Sequence, residues 1–247
     1  MNKSIKTLLV LLLVVSVAYA QVKDPVVEAI VKEATENSQL EKLAHELMDQ
    51  IGPRLVGSPK MQQAHDWAVA RYTEWGIAAR NEKWGEWRGW ERGITHIDMV
   101  APWVKSLAGT QLAWSPGTKG KTVTGDVVIL PDVADSLAFQ KWLPTVKGKF
   151  VMISMNQPTG RNDDNWDKFG TKESVEKMKA ERTRLTEAWS ERIKKTGKTN
   201  ATLPVALENA GAAGVVMCYW SRWSGANKIF GARTKKVPTI DLMLEDY

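Results

Sequence analysis

Residues 203–220, LPVALENAGAAGVVMCYW, and residues 236–247, KVPTIDLMLEDY, decide how this chain is read. Residues 206–211 are small and helix-compatible, whereas residues 214–219 are apolar on both faces, as expected of a central strand covered on both sides. The Val237-Pro238 pair then opens a further strand. Working back, residues 124–130 predict a strand, residues 136–142 a short helix, and residues 147–154 a strand reached through a tight glycine turn at Gly148. Strands and helices alternating in this way predict an α/β (α+β) architecture. Residues 172–195 interrupt it as a charged helix. Val175, Met178, Leu185, Ala188, Trp189 and Ile193 fall on one stripe there, which predicts a mostly solvated face with a narrow docking edge.

The other end of the chain is a targeting signal. Lys3 and Lys6 give a basic start, residues 8–17 are apolar except for Ser16, and Ala18-Tyr19-Ala20 supplies small residues for cleavage. The apolar run is shorter than the roughly 20 residues that span a bilayer. The expectation is a signal peptide over residues 1–20, a mature chain from Gln21, export to the periplasm or the extracellular space, and no membrane span after cleavage. Removing Lys3 and Lys6 from the 34 basic residues leaves 32 against 28 acidic ones, a net charge of +4. No arginine stripe with interleaved aromatics accompanies that small excess, which argues against a nucleic-acid partner. Cys218 is the single cysteine, so no internal disulfide is possible, and its apolar setting predicts a small buried hydrophobe.

Residues 24–76 read as helical. Asp24-Pro25 is a helix start. Ser38 with Glu41 has the spacing of a capping box ahead of Leu40, Leu43, Ala44, Leu47 and Met48. Ser58-Pro59 opens a third helix, with Met61, Ala64, Ala68, Tyr72 and Trp75 on one stripe and Gly76 at its end. Residues 77–114 turn strand-like and carry Trp84, Trp87, Trp90, Trp103 and Trp114, which suits a half-buried sheet. Core packing or domain docking is the ordinary use of such tryptophans, and a ligand-stacking platform is the alternative.

Residues 51–59 (IGPRLVGSP), Trp75-Gly76, Glu82-Lys83-Trp84, Arg88-Gly89-Trp90 and residues 113–118 (AWSPGT) together resemble the N-terminal portion of exported dinuclear-zinc peptidases. That family takes in secreted bacterial aminopeptidases and the plasma glutamate carboxypeptidase, or carboxypeptidase Q-like, enzymes. The resemblance implies a layout of N-terminal helices and first strands of a peptidase domain, residues 21–114, incomplete in this chain. An inserted protease-associated domain with a mixed β-sheet and flanking helices follows, residues 115–247, with a charged helical insertion near residues 168–198. It also implies that the zinc-binding half would follow Tyr247.

A co-catalytic zinc pair needs imidazoles, several carboxylates and a glutamate general base. In the resembled family these include a His-x-Asp, a bridging aspartate, an adjacent Glu-Glu pair and a late histidine. This sequence has three histidines and no Glu-Glu pair. His96-Ile97-Asp98 spells His-x-Asp but is followed by Met99-Val100-Ala101-Pro102 and precedes the inserted domain, so His96 reads as a strand residue with a satisfied ring. His45 and His65 lie on helices without the i, i+4 spacing of a zinc helix. Asp163-Asp164, between Asn162 and Asn165, lacks the glycine and distal glutamate of a calcium loop and reads as a solvated loop. Ser221 and Ser224 lack a nucleophile elbow, residues 117–125 have glycines without a helix start for phosphate, and Asn200-Ala201-Thr202 is a glycosylation sequon.

The expectation is therefore no catalytic, cofactor-binding or metal-binding residue in this chain. Two zinc ions are expected in the complete family enzyme, which would engage peptide substrate through the half beyond Tyr247. The chain would be the non-catalytic front of a secreted zinc exopeptidase, inactive alone. A free-standing protease-associated binding or scaffold module is the alternative, and a tryptophan-rich carbohydrate binder a third.

Overall fold

The computed structural model describes residues 24–247, which divide into two compact units on either side of the Gly89–Trp90 bond. The expected signal peptide and mature start at Gln21 lie outside the described residues. The result is a mixed α/β chain with seven α-helices and a five-stranded mixed sheet among the described residues.

In the first unit, α1 spans Pro25–Glu36, and the Asp24 side chain accepts from the Val26 N–H at 2.9 Å. Pro25 at the first helical position gives up only a donor that would have no intrahelical partner. Helix α2, Leu40–Ala44, runs on as a π-helical stretch, His45–Ile51. The expected capping box does not form: the helix starts one residue later than the box requires, at Leu40. Ser38 Oγ then accepts weakly from Leu40 N at 3.4 Å, and Gln39 makes no side-chain cap. Helix α3, Pro59–Glu74, begins as expected, with Ser58 Oγ accepting from Met61 N at 3.2 Å, and Gly76 turns out of it at φ +75°. Trp67 Nε1 donates to Glu46 Oε2 at 2.7 Å and holds α3 to the π-helical stretch. Ala64 is buried on the expected stripe, whereas Tyr72 and Trp75 at its far end are exposed.

The second unit begins with a small antiparallel pair, β1 (Asp98–Met99) and β2 (Lys105–Ser106). The main sheet is made of β3 (Gly109–Gln111), β4 (Val127–Ile129), β5 (Phe150–Met152), β6 (Gly214–Met217) and β9 (Thr239–Leu242), in the order β3-β9-β6-β5-β4. Only β3 runs antiparallel to its neighbour. The tryptophan-rich segment thus yields three short strands, and the sheet takes in residues on the N-terminal side of Ser115.

Val128, Val151, Val215 and Thr239 share one register row across four strands. Val151, Val215 and Thr239 are fully buried, in a core with Phe139 of α4 (Ser136–Trp142) and with Leu203 and Leu207 of α7 (Leu203–Asn209). β6 is buried along its whole length, as a strand apolar on both faces must be. Helix α7 starts three residues before the stretch expected from its small side chains, because Pro204 is well suited to a first turn. Gly214 permits the close approach of three strands: a Cβ there would lie 2.7 Å from the Phe150 ring and 3.0 Å from Pro238 O.

Candidate binding cleft

Two helices outside the sheet core carry the polar residues that converge. Helix α5, Asp163–Phe169, is capped by Asn162, whose side chain accepts from Asn165 N at 3.0 Å. Helix α6, Lys172–Lys195, is capped by Thr171 and matches the expected charged helix in both bounds. Met178 and Ile193 are buried on its docking stripe and Val175, Leu185 and Trp189 half-buried, while Ala188 is exposed. Its C-terminal half is fixed to the strand ends. Trp189 Nε1 donates to Ile153 O at 3.1 Å, Arg192 Nη1 donates to Leu130 O at 3.2 Å, and Lys195 pairs with Asp132 at 3.0 Å.

Arg182 sits in the middle of the docking stripe, four residues after Met178, and is only 7% exposed. Its Nη1 donates to Asp163 Oδ1 at 2.5 Å, while Asp163 Oδ2 lies 3.6 Å from Arg222 Nε. Asp163 N donates to Arg222 O at 2.8 Å, so α5 and the segment after β7 (Trp220–Ser221) are tied together at this residue. The expectation of a solvated Asp163-Asp164 loop is corrected here: Asp163 is buried and opens a helix. A carboxylate taken from water needs such partners, and two guanidinium groups supply them. The Arg182 guanidinium also lies over the Trp220 ring at 5.3 Å.

These groups line a cleft of about 700 Å³ together with Gln157, Lys179, Thr183, Thr186 and Glu187. Lys179, Arg182, Thr183, Thr186 and Glu187 recur at three- and four-residue steps, which places them on one face of α6. Three cations and two carboxylates leave the lining net positive. Sequence reasoning missed Arg182 and read Asp163 as solvated, whereas both are buried. The available signal was a charged residue standing on an apolar stripe.

The residues weighed for metal do not converge. His45 Nδ1 pairs locally with Asp49 Oδ2 at 2.8 Å, and His65 is exposed on α3. His96 is exposed and precedes β1, so its expected place within a strand is corrected by two residues. Asp98 accepts from Ser106 Oγ at 2.6 Å. Among the described residues no three His, Cys, Asp or Glu side chains gather as a metal-holding group. The donors that the described residues bring together therefore do not fit a zinc pair.

Cys218 is buried, and burial pushes its thiol up. Near it, Asp241 is 1% exposed and accepts from Tyr219 N and from Asn227 Nδ2, each at 2.6 Å. Burial raises the Asp241 carboxyl against the lowering effect of those two donors. This cluster ties the β7–β8 hairpin, with β8 at Ala226–Asn227, to β9; it closes the fold and leaves the carboxylate inside it. Ser221 is buried and Ser224 exposed, and Asn200 of the sequon is exposed.

The chain has distant, partial similarity to carboxypeptidase Q. The Rattus norvegicus protein is 29% identical over 140 residues, 57% of this chain and 28% of its own, and that of Bos taurus is 27% identical over the same share of each. Among solved structures, the crystal structure of a peptidase M28 precursor from Shewanella amazonensis aligns with a TM-score of 0.53 and 17% identity, covering 90% of this chain and 45% of that one. No protein-family model matches. The fold is thus that of part of an M28 peptidase, and the chain spans less than a third of the length of the carboxypeptidase Q proteins it matches. The resemblance read from residues 51–118 agrees with this in its coarse form, a relation to zinc exopeptidases.

Proposed function

We propose that this chain is the N-terminal, non-catalytic portion of an exported zinc-dependent exopeptidase. Residues 21–114 are the opening segment of its peptidase domain, and residues 115–247 are an inserted protease-associated domain that shapes the peptide cleft. The observation that carries this reading is the asymmetry of the structural likeness, which takes in 90% of this chain but 45% of the M28 peptidase precursor. The surface of the first unit supports it too. Val26, Val27, Ile30 and Val31 of α1 are each more than half exposed, an apolar face of the kind that the remainder of a larger domain covers.

The two zinc ions and the hydrolysis of peptides belong, in this reading, to sequence that the described residues do not contain. The test is the purified chain assayed with added zinc against aminoacyl anilides and dipeptides, alone and fused to the reading frame that follows the Tyr247 codon in its gene. The expected result is turnover from the fusion only. Chelator-sensitive turnover by the chain alone overturns the proposal.

A further inference from the structure

The Arg182 side chain is the most unusual feature left without a role. A guanidinium has five N–H donors in a fixed fork and no acceptor. In Arg182 one end of the fork, Nη1, is engaged by Asp163, and the guanidinium carbon lies 5.3 Å from the centre of the Trp220 ring. Nε and Nη2 are closed from solvent and have no hydrogen-bond partner among the described residues. Those two nitrogens together form one complete side of the fork, the side that takes both oxygens of a planar oxyanion at once. Buried polar groups are almost always hydrogen-bonded, so an open fork edge at 7% exposure is a strong departure.

Its surroundings are a polar and charged cleft with one aromatic wall. The cleft of about 700 Å³ falls in the range of ligand pockets, with an aromatic wall at Trp220 and uncharged hydrogen-bonding side chains at Gln157, Thr183 and Thr186. Asp163 is shared between Arg182 and Arg222, so it neutralises one of the two and leaves a positive charge beside the open edge. Glu187 on the rim disfavours a doubly charged phosphate relative to a singly charged group. We infer that this cleft binds the carboxylate of a small organic acid or a peptide end, gripped side-on by Nε and Nη2 of Arg182 and stacked along Trp220. The ligand reaches the fork by displacing the exposed side chains of the rim, Lys179 or Glu187. This site lies wholly in the second unit and stands whether or not the chain belongs to an exopeptidase.

The experiment follows the Arg182 Nε–Hε resonance of the full chain by nuclear magnetic resonance, with N-acetylglycine, N-acetylglycinamide and inorganic phosphate as probes. N-acetylglycine is expected to shift that resonance saturably at millimolar concentration, phosphate more weakly, and N-acetylglycinamide not at all. Arg222→Gln, at the exposed rim, is expected to weaken N-acetylglycine binding about tenfold through loss of one charged partner. Arg182→Lys keeps the charge but removes the fork, and thermal stabilisation by N-acetylglycine is expected to vanish in it. No saturable shift in the wild type overturns the inference, as does an equal response to N-acetylglycinamide. Phosphate binding more tightly than N-acetylglycine overturns the assignment to carboxylates.

Discussion

Replacing Glu208 with alanine probes how the last strand of the sheet is held. Glu208 projects from α7, is 8% exposed, and its Oε2 accepts three consecutive backbone N–H groups: Lys235 at 2.8 Å, Lys236 at 2.5 Å and Val237 at 3.1 Å. The chain leads from these residues straight into β9, and Val215 N of the central strand donates to Pro238 O at 2.9 Å. Each hydrogen bond to a charged acceptor contributes about 1.5–3 kcal/mol, and a buried donor left unpaired forfeits all of it. Lys235 and Lys236 are exposed, so water replaces the carboxylate there at small loss, whereas Val237 is half-buried. Glu208→Ala should therefore destabilise the β6–β9 pairing by about 3 kcal/mol, roughly a hundredfold increase in local opening. Glu208→Gln keeps an acceptor and removes only the charge, which costs about 1 kcal/mol. Native-state hydrogen exchange on the full chain, resolved to peptides covering β6 and β9, reads both values. An alanine variant within about 1 kcal/mol of the wild type, or one no worse than the glutamine variant, refutes the assignment of this carboxylate as the anchor of β9.

Asp163→Ala strands the Arg182 charge in the interior and should lower stability by about 3–5 kcal/mol in urea unfolding, while the paired change Asp163→Ala with Arg182→Met should recover much of it. A single variant as stable as the wild type would show that the pair is solvated in solution. For Asp241, burial raises the carboxyl in the folded state, so its contribution to stability is complete below the ordinary aspartate range and is lost as pH rises through the raised value. Urea titrations over a pH series should therefore show the stability of the wild type falling relative to Asp241→Asn as pH increases through that window. A flat difference curve rules out the buried carboxylate as its source.

The sheet was legible wherever side chains alone decide burial. Residues 214–219 are apolar on both faces and became the central strand, and the apolar runs at residues 124–130 and 147–154 became β4 and β5. Helix α6 was legible in both bounds because Thr171 ahead of it and the glycine at Gly197 after it give the backbone clear places to start and stop. Residues 77–114 were not. Their aromatic and β-branched content suits strands, yet only β1, β2 and β3 form there, and Trp84, Trp87 and Trp103 remain exposed. A strand requires a partner at its edge as well as suitable side chains, and partners are a property of the whole fold. The Ser38–Glu41 box failed for the opposite reason. It is a purely local signal, and a one-residue shift in where α2 begins is enough to disarm it.

The cleft shows what separates the two kinds of reading. On α6, Met178, Leu185, Trp189 and Ile193 mark the docking edge from sequence, and the same 3.6-residue period assigns Arg182 to that edge as firmly as its neighbours. Charge argued for solvent and periodicity for burial, and the expectation of a solvated face followed charge. Periodicity prevailed because helix α6 is fixed at its far end by Trp189 and Arg192 hydrogen-bonded to the ends of β5 and β4, which leaves position 182 no freedom to turn outward. The fold therefore had to bring a carboxylate to Arg182 rather than Arg182 to water, and Asp163 is that carboxylate. Asp163 and Arg182 are nineteen residues apart, with the first turn of α5 and the Gly170–Thr171 link between them. No periodicity connects them, so only the folded chain identifies the pair and the open edge of the guanidinium beside it.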